Sequence, residues 1–246
     1  MTASSPITPL CDAHNPSFWP WHRWPEFSRW PTPEAALVIV PMAGMADWGL
    51  GHAIDAEELV LMHVLRQALE AHPPAPQRVL VVPPLRFVFG PGEDTAFATD
   101  PPTIHQFLDE VVASIAASGF RRIVLYNSSP WNEELTAAAA RDQRIARQLQ
   151  MFRISLSGLG LDFDPTRAPD RRDLQTVITA LSGRTPEDCD IANPTNVANA
   201  SVEAPALLEP IVERLAQLVA EIDRWPALPD AGRIPAAVPP SPSSQP

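Results

Sequence analysis

Short apolar runs alternate along the chain with stretches of helical periodicity. Four of these runs predict buried strands, at residues 36–40 (ALVIV), 78–82 (RVLVV), 122–126 (RIVLY) and 152–156 (FRISL). The segments between them repeat apolar residues three and four positions apart, as on one face of a helix. Strands that alternate with such helices are typical of βαβ units. The sequence therefore predicts an α/β fold with a mostly parallel sheet.

The same pattern predicts where the helices begin and which side they bury. Asp55 is placed to cap the helix after the first strand, and Glu58 would complete a capping box. One side of that helix is predicted to carry Leu59, Met62, His63, Leu65, Arg66 and Leu69. Asn132 is expected to cap the helix after the third strand. The last helix is predicted over residues 202–222.

Proline-rich segments at both ends of the sequence flank one predicted domain. Residues 1–35 are rich in proline, tryptophan and phenylalanine, which predicts an extended arm because proline disfavours regular helix. The arm's rings are expected either to cover the edge of the core or to form a subunit interface, where tryptophan is enriched. Residues 36–224 form the predicted α/β domain. The Pro, Ala and Ser of residues 225–246 predict a disordered tail.

Charge, cysteine content and hydropathy exclude several classes of partner and site. The chain has 18 basic residues, none of them lysine, against 29 acidic ones, which gives a net charge of −11. This balance argues against nucleic acid or an anionic membrane as the main partner. Cys11 and Cys189 fit neither a disulfide framework nor a metal-ligand spacing. Since no apolar run reaches the length of a membrane span, we expect a soluble cytoplasmic protein.

Several stretches carry a resemblance to a known family. The first strand ends in VIVP and enters a glycine-containing turn, the third lies in GFRRIVLYN (119–127), and NPTNVANASVEAPALLEPIVERLAQLV follows at 193–219. Over residues 28–222 the chain resembles the creatininase family (creatinine amidohydrolase type). The resemblance implies a three-layer α/β/α sandwich and, in typical members, hydrolysis of cyclic or simple amides by two divalent ions such as Zn or Mn. It also implies a homohexamer.

The family's first turn typically reads P-x-G-x-x-E-Q-H-G-P-H-x-x-x-x-x-D, whereas this chain has PMAGMADWGLGHAID at 41–55. With the first proline aligned, the Glu position falls on Ala46, the first His on Trp48 and the second His on Gly51. The helix-opening Asp corresponds to Asp55 only if this turn is two residues shorter. The carboxylates and imidazoles that would hold two ions and activate a bound water are therefore largely replaced.

The loop after the third strand typically reads N-G-H-x-x-N in the family. Asn127 and Asn132 match its flanking asparagines, while the His position is Ser129 and an acid seen in some members becomes Trp131. The resemblance thus predicts a pocket without its metal ligands, and no metal cofactor is expected. The residues predicted to line this pocket are Ala46, Trp48, Asn127, Ser128, Ser129, Trp131 and Asn132.

The residues are consistent with two different functions. The first is a non-catalytic homologue, either a small-molecule binder or an accessory subunit, in a homo-oligomer or beside a separate active subunit. The alternative is a divergent amidohydrolase for small cyclic or amide substrates, with Asp47, His52, Glu93 and Asp94 as acid–base groups. Asp47, His52 and Asp55 are the remaining candidates for catalysis, although their spacing is not a recognised metal-ligand pattern.

Overall fold

The computed structural model describes residues 17–89, 94–183 and 194–227, with side chains in the last segment from residue 197 onward. Its strands are β1 (Leu37–Ala43), β2 (Met45–Ala46), β3 (Val79–Val81), β4 (Leu85–Arg86), β5 (Val88–Phe89), β6 (Thr95–Ala96), β7 (Ala98–Thr99), β8 (Arg122–Asn127) and β9 (Gln150–Ser155). Its α-helices are α1 (Trp24–Phe27), α2 (Ala56–Ala71), α3 (Pro101–Ala117), α4 (Glu133–Arg147), α5 (Leu156–Leu159), α6 (Arg172–Ser182) and α7 (Pro194–Arg224).

A five-stranded sheet forms the centre, in the order β3-β1-β8-β9 with β4 also paired to β1. All of these pairings are parallel, as the apolar runs predict. The observed first strand continues through Pro41 to Ala43, beyond the predicted run 36–40. Pro41 lies between the β3 and β4 pairings, so its missing N–H interrupts neither register.

Two apolar cores lie on opposite faces of this sheet, which confirms a three-layer α/β/α architecture. One core packs α2, α5, α6 and α7 against alternate side chains of the strands, such as Leu37, Ile39 and Val124. The other packs α3 and α4 against the intervening side chains, such as Val38, Val40 and Leu125. Within the described part of the chain, no helix has the length and apolar character needed to cross a membrane.

The buried side of α2 differs from the predicted stripe. Its fully buried apolar residues are Val60, Leu61, Val64 and Leu65. Of the predicted side, Leu65 and Leu69 are buried, and Leu59 and Met62 are partly buried and pack against the core. His63 and Arg66 are only partly buried, and the prediction missed the buried residues Val60, Leu61 and Val64. The reason is that α2 contacts β1 and also α6 and α7, so its apolar surface is wider than one stripe.

The described part of the arm packs on the core. Phe18 forms an isolated parallel bridge to Val81 at the β3 edge. The rings of Trp19, Phe27 and Trp30 lie around Phe120, with centroids 5.2 to 6.3 Å from its ring. Covering the core edge is therefore one function of these rings. The tail predicted to be disordered falls almost entirely outside the described residues.

Helix α7 is longer than predicted and ends against two arginines. Arg122 is 1% exposed, and its guanidinium donates to the backbone carbonyls of Ala35, at 2.9 Å, and Ile222. Arg78 pairs with Asp223 at 2.8 Å. Cations at a helix C-terminus satisfy its free carbonyls and complement its dipole. These contacts hold the end of α7 against the beginning of β8.

Candidate functional site

The candidate site lies at the carboxyl ends of two adjacent central strands. Met42 near the end of β1 pairs in register with Asn127 at the end of β8, and Ser128 N donates to Met42 O at 3.0 Å. The first turn of α2 and the loop 128–132 converge at the same edge. In open α/β sheets, this edge is where functional side chains collect.

The carboxyl of Glu57 is buried at the centre of this edge. Glu57 is 0% exposed. Its Oε2 accepts hydrogen bonds from Gly44 N at 2.7 Å and Ser128 Oγ at 3.1 Å, and its Oε1 accepts one from Trp48 Nε1 at 3.0 Å. The carboxyl thereby joins the start of α2 to the turn at residues 44–48, which directly precedes it, and to Ser128, which lies 71 residues further along the chain.

Burial raises the pKa of Glu57 from its ordinary value of 4.5 to about 7, even though its hydrogen bonds favour the ionised form. The packing around it is close. A Cβ added at Gly44 would lie 2.6 Å from Glu57 Oε1 and 3.0 Å from Ser129 Oγ, so a larger residue at Gly44 would displace the carboxyl. Glycine is required here for close approach.

Two indoles lie over this polar centre. Trp48 and Trp131 are stacked, with ring centroids 4.5 Å apart and an interplanar angle of 18°. Phe163 contacts Trp48 with a centroid distance of 5.7 Å, and the Arg171 guanidinium lies 6.0 Å from the centroid of the Trp48 ring. These are the two positions that the resemblance aligns with a histidine and an acid of the family pattern.

The asparagines and the second serine are also buried. Asn127 Nδ2 donates to Ser129 O at 2.6 Å. Asn132 Oδ1 accepts from Phe89 N, and its Nδ2 donates to Phe87 O, each at 3.0 Å. Asn132 therefore occupies the N-cap position of α4 as predicted, but its side chain makes no capping hydrogen bond, because its amide instead holds the segment 87–89. Within the described residues, Ser129 Oγ lies beside the Glu57 carboxyl but has no hydrogen bond of normal geometry.

The structure does not bring Asp47, His52 and Asp55 together as a ligand set. Asp47 is exposed, and its Oδ1 accepts from Gly49 N at 2.8 Å. His52 Nε2 lies 3.3 Å from Thr179 Oγ1, and burial lowers the pKa of this imidazole. Asp55 occupies the N-cap position of α2, but its side chain makes no capping hydrogen bond.

The acid–base groups of the alternative hypothesis are only partly described. Asp47 N donates to Asp94 O at 2.8 Å, so these two segments are adjacent. Glu93 lies outside the described residues. Ala46, the remaining predicted pocket residue, is buried in β2, and its N–H donates to Ile54 O at 3.1 Å, which closes the turn that carries Trp48.

Glu57 was missed from the sequence. The family's final Asp was aligned with Asp55 because Asp55 stands at the start of the helix. That alignment requires the turn to be two residues shorter than in the family pattern. Counted from Pro41 without a gap, the same position falls on Glu57. The ungapped count was the signal that could have found it.

Comparisons with known proteins agree with this fold. The family model Creatininase, described as creatinine amidohydrolase, matches residues 22–202. The chain belongs to the creatininase family. No curated protein matches it.

Solved structures of creatininases share the fold at low sequence identity. A creatininase variant complexed with creatine is 16% identical, with a TM-score of 0.61 over 85% of this chain and 99% of that one. A structure described as creatininase Mn is 17% identical, with a TM-score of 0.60 over the same shares of the two chains. A Bacteroides fragilis NCTC 9343 protein assigned as a creatinine amidohydrolase is 15% identical, with a TM-score of 0.58 over 77% and 90%.

The residues at this edge do not fit the two divalent ions of the family pattern. Metal centres need several carboxylates or imidazoles with free lone pairs. Here Glu57 is the one carboxylate among the described groups that line the centre. Three N–H or O–H donors already point at its oxygens. Among residues 17–89, 94–183 and 194–227, no group of three or more His, Cys, Asp or Glu could hold an ion.

Proposed function

We propose that this chain is a non-catalytic creatininase-family protein that keeps the fold and the pocket without the two-metal chemistry. In this proposal it acts as a small-molecule binder or as an accessory subunit. The observation that carries the proposal is the surroundings of Glu57. A carboxylate that would serve as a metal ligand instead accepts hydrogen bonds from Gly44, Trp48 and Ser128.

The stacked indoles support the same proposal. Trp48 and Trp131 stand where the resemblance places a histidine and an acid, and their rings are in contact at 4.5 Å. Neither indole is a ligand for a divalent ion, and the Trp48 indole donates its N–H to the buried carboxyl. A relative described as creatininase Mn has the same fold, so the difference we propose lies in these side chains.

Metal content and hydrolysis test the proposal together. The protein is purified without chelator from medium supplemented with zinc and manganese, and its metals are measured. It is then assayed on creatinine, lactams and cyclic ureas, with and without EDTA. We expect far less than one ion per chain and no turnover. Stoichiometric metal together with EDTA-sensitive amide hydrolysis would overturn the proposal.

A second candidate, a divergent amidohydrolase, is favoured by one observation. Ser128 Oγ donates to Glu57 Oε2 at 3.1 Å, and the pKa of that carboxyl is raised to about 7, a suitable value for a general base near neutral pH. Against it, both residues are fully or almost fully buried. This candidate predicts turnover that survives EDTA and is abolished by Glu57→Gln.

Assembly and location extend the proposal. We infer a homo-oligomer, a hexamer by resemblance, or a complex with an active subunit, supported by the exposed indole of Trp24, which is 72% exposed on the arm. Light scattering of the purified protein and co-purification from the native host distinguish these assemblies. The expected cytoplasmic location is part of this proposal and is tested by fractionating the host.

A further inference from the structure

The indole of Trp48 lies in a slot that other segments of the chain build. Trp131 stacks on one face at 4.5 Å, and Phe163 contacts the ring at 5.7 Å. At the inner end, Glu57 Oε1 accepts the indole N–H at 3.0 Å. Trp48 contributes only the ring that fills this slot.

The walls of the slot have the chemistry of a ligand site. Flat aromatic faces bind planar rings, and one buried acceptor at the inner end selects a ring N–H. A second polar group lies at this inner end of the slot. The Ser129 hydroxyl is 0% exposed, lies beside the Glu57 carboxyl and favours its ionised, hydrogen-bond-accepting form.

We propose that this slot is a binding site for a bicyclic aromatic heterocycle with a ring N–H, and that Trp48 is the intramolecular occupant that such a ligand displaces. This inference rests on the small-molecule binding proposed above and names the class of ligand. The incoming ring would stack on Trp131 and donate its N–H to Glu57, as the Trp48 indole does.

The backbone around Trp48 indicates how displacement would occur. Asp47 N donates to Asp94 O at 2.8 Å, and the Trp48 carbonyl accepts from Arg171, so the chain on both sides of the Trp48 Cα is held. Gly49 and Gly51 follow with φ of 65° and 66°, and a Cβ added at Gly49 would meet nothing within 4 Å, so the space beside this part of the turn is open. The side chain of Trp48 would therefore rotate outward while the backbone stays in place.

Self-occupancy lowers the apparent affinity for any ligand. If the open state is only a fraction of the population, the apparent dissociation constant rises by the reciprocal of that fraction. Emptying the slot with Trp48→Gly removes this competition. We expect the variant to bind indole at least about tenfold more tightly than the unaltered protein does.

The test compares indole with N-methylindole, which has a similar shape but no N–H. Calorimetric titrations use the unaltered protein, Trp48→Gly, and Trp24→Gly as a matched control at an exposed indole outside the slot. We expect Trp48→Gly to bind one indole per chain and to bind N-methylindole at least about tenfold more weakly, because the Glu57 acceptor then loses its donor. Trp24→Gly should match the unaltered protein.

A second measurement covers the possibility that Trp48→Gly fails to fold. In the unaltered protein, the Trp48 indole N–H resonance, assigned by its loss in Trp48→Phe, should shift when indole is added. Equal binding of the two ligands by folded Trp48→Gly, absence of binding, or an unshifted Trp48 resonance at saturating indole would each overturn the inference. The metal and turnover assays are independent of these readouts, so either proposal can fail alone.

Discussion

Replacing Glu57 by glutamine removes the ionisable group at the centre of the site while keeping its size. Glu57 is 0% exposed, and burial raises the pKa of its carboxyl from 4.5 to about 7. In the unfolded chain the carboxyl returns to its ordinary pKa. The folded protein therefore keeps a proton between these two pH values that the unfolded chain has already released, and stability falls as pH rises through this window.

The size of the effect follows from the difference between the pKa of Glu57 in the folded protein and in the unfolded chain. A pKa difference of one corresponds to about 1.4 kcal/mol, so the Glu57 carboxyl should cost the folded state about 3 kcal/mol once it is ionised. Below about pH 4.5 this cost is absent, because the carboxyl is protonated in both states. Above about pH 7 the full cost is present and no longer changes with pH. Glutamine at position 57 cannot ionise and lacks this dependence.

Urea unfolding at pH values from about 4 to about 8 measures the difference. Other carboxylates in the protein, such as Asp109 and Glu133, have lowered pKa values and contribute the opposite slope, but they cancel when the two proteins are subtracted. We expect the free energy of unfolding of Glu57→Gln, relative to the unaltered protein, to rise by about 3 kcal/mol across this range. Glu70→Gln, on the exposed side of the same helix, serves as the control. A difference independent of pH would refute the reasoning.

Four further substitutions test the contacts of the site and of the end of α7. Gly44→Ala should destabilise the protein by about 1 to 3 kcal/mol in thermal unfolding, because its Cβ would lie 2.6 Å from Glu57 Oε1. Asn132→Ala should cost about 2 kcal/mol in urea unfolding, since it leaves the buried carbonyl of Phe87 and the half-buried N–H of Phe89 unpaired, whereas Asp55→Ala should cost less than about 0.5 kcal/mol. Arg122→Ala should cost about 3 kcal/mol in urea unfolding and increase hydrogen exchange at the end of α7.

Each of these substitutions has an outcome that contradicts its physical reason. Gly44→Ala with unchanged stability would mean that the Glu57 carboxyl can move aside freely. Equal costs for Asn132→Ala and Asp55→Ala would mean that Asn132 acts only as an ordinary loop residue. Unchanged hydrogen exchange at the end of α7 in Arg122→Ala would mean that the guanidinium does not stabilise this helix end.

The sheet could be predicted from sequence because buried parallel strands are apolar on both faces. The runs at 36–40, 78–82, 122–126 and 152–156 each overlap an observed strand. The strand ends were less predictable. Polar or proline residues such as Pro41 and Asn127 extend the strands at the edge where the site lies. There, tertiary contacts rather than local pattern decide the backbone.

The site was harder to predict than the fold. Asn132 looked like a helix cap, but its amide is used by Phe87 and Phe89, in a segment without periodicity. Glu57 stands in the first turn of α2, where an acidic residue ordinarily favours the helix dipole and faces solvent. In the fold it instead points inward to Gly44 and Ser128. Long-range polar contacts of this kind have no period in the sequence.

In the function proposed for this protein, a hydrogen-bonded carboxyl and two stacked indoles stand in place of a metal centre. The most direct measurement is the metal content per chain after purification without chelator from medium containing zinc and manganese. We expect far less than one ion per chain, with the same value for Glu57→Gln. One or two ions per chain in the unaltered protein, lost in Glu57→Gln, would contradict the proposal.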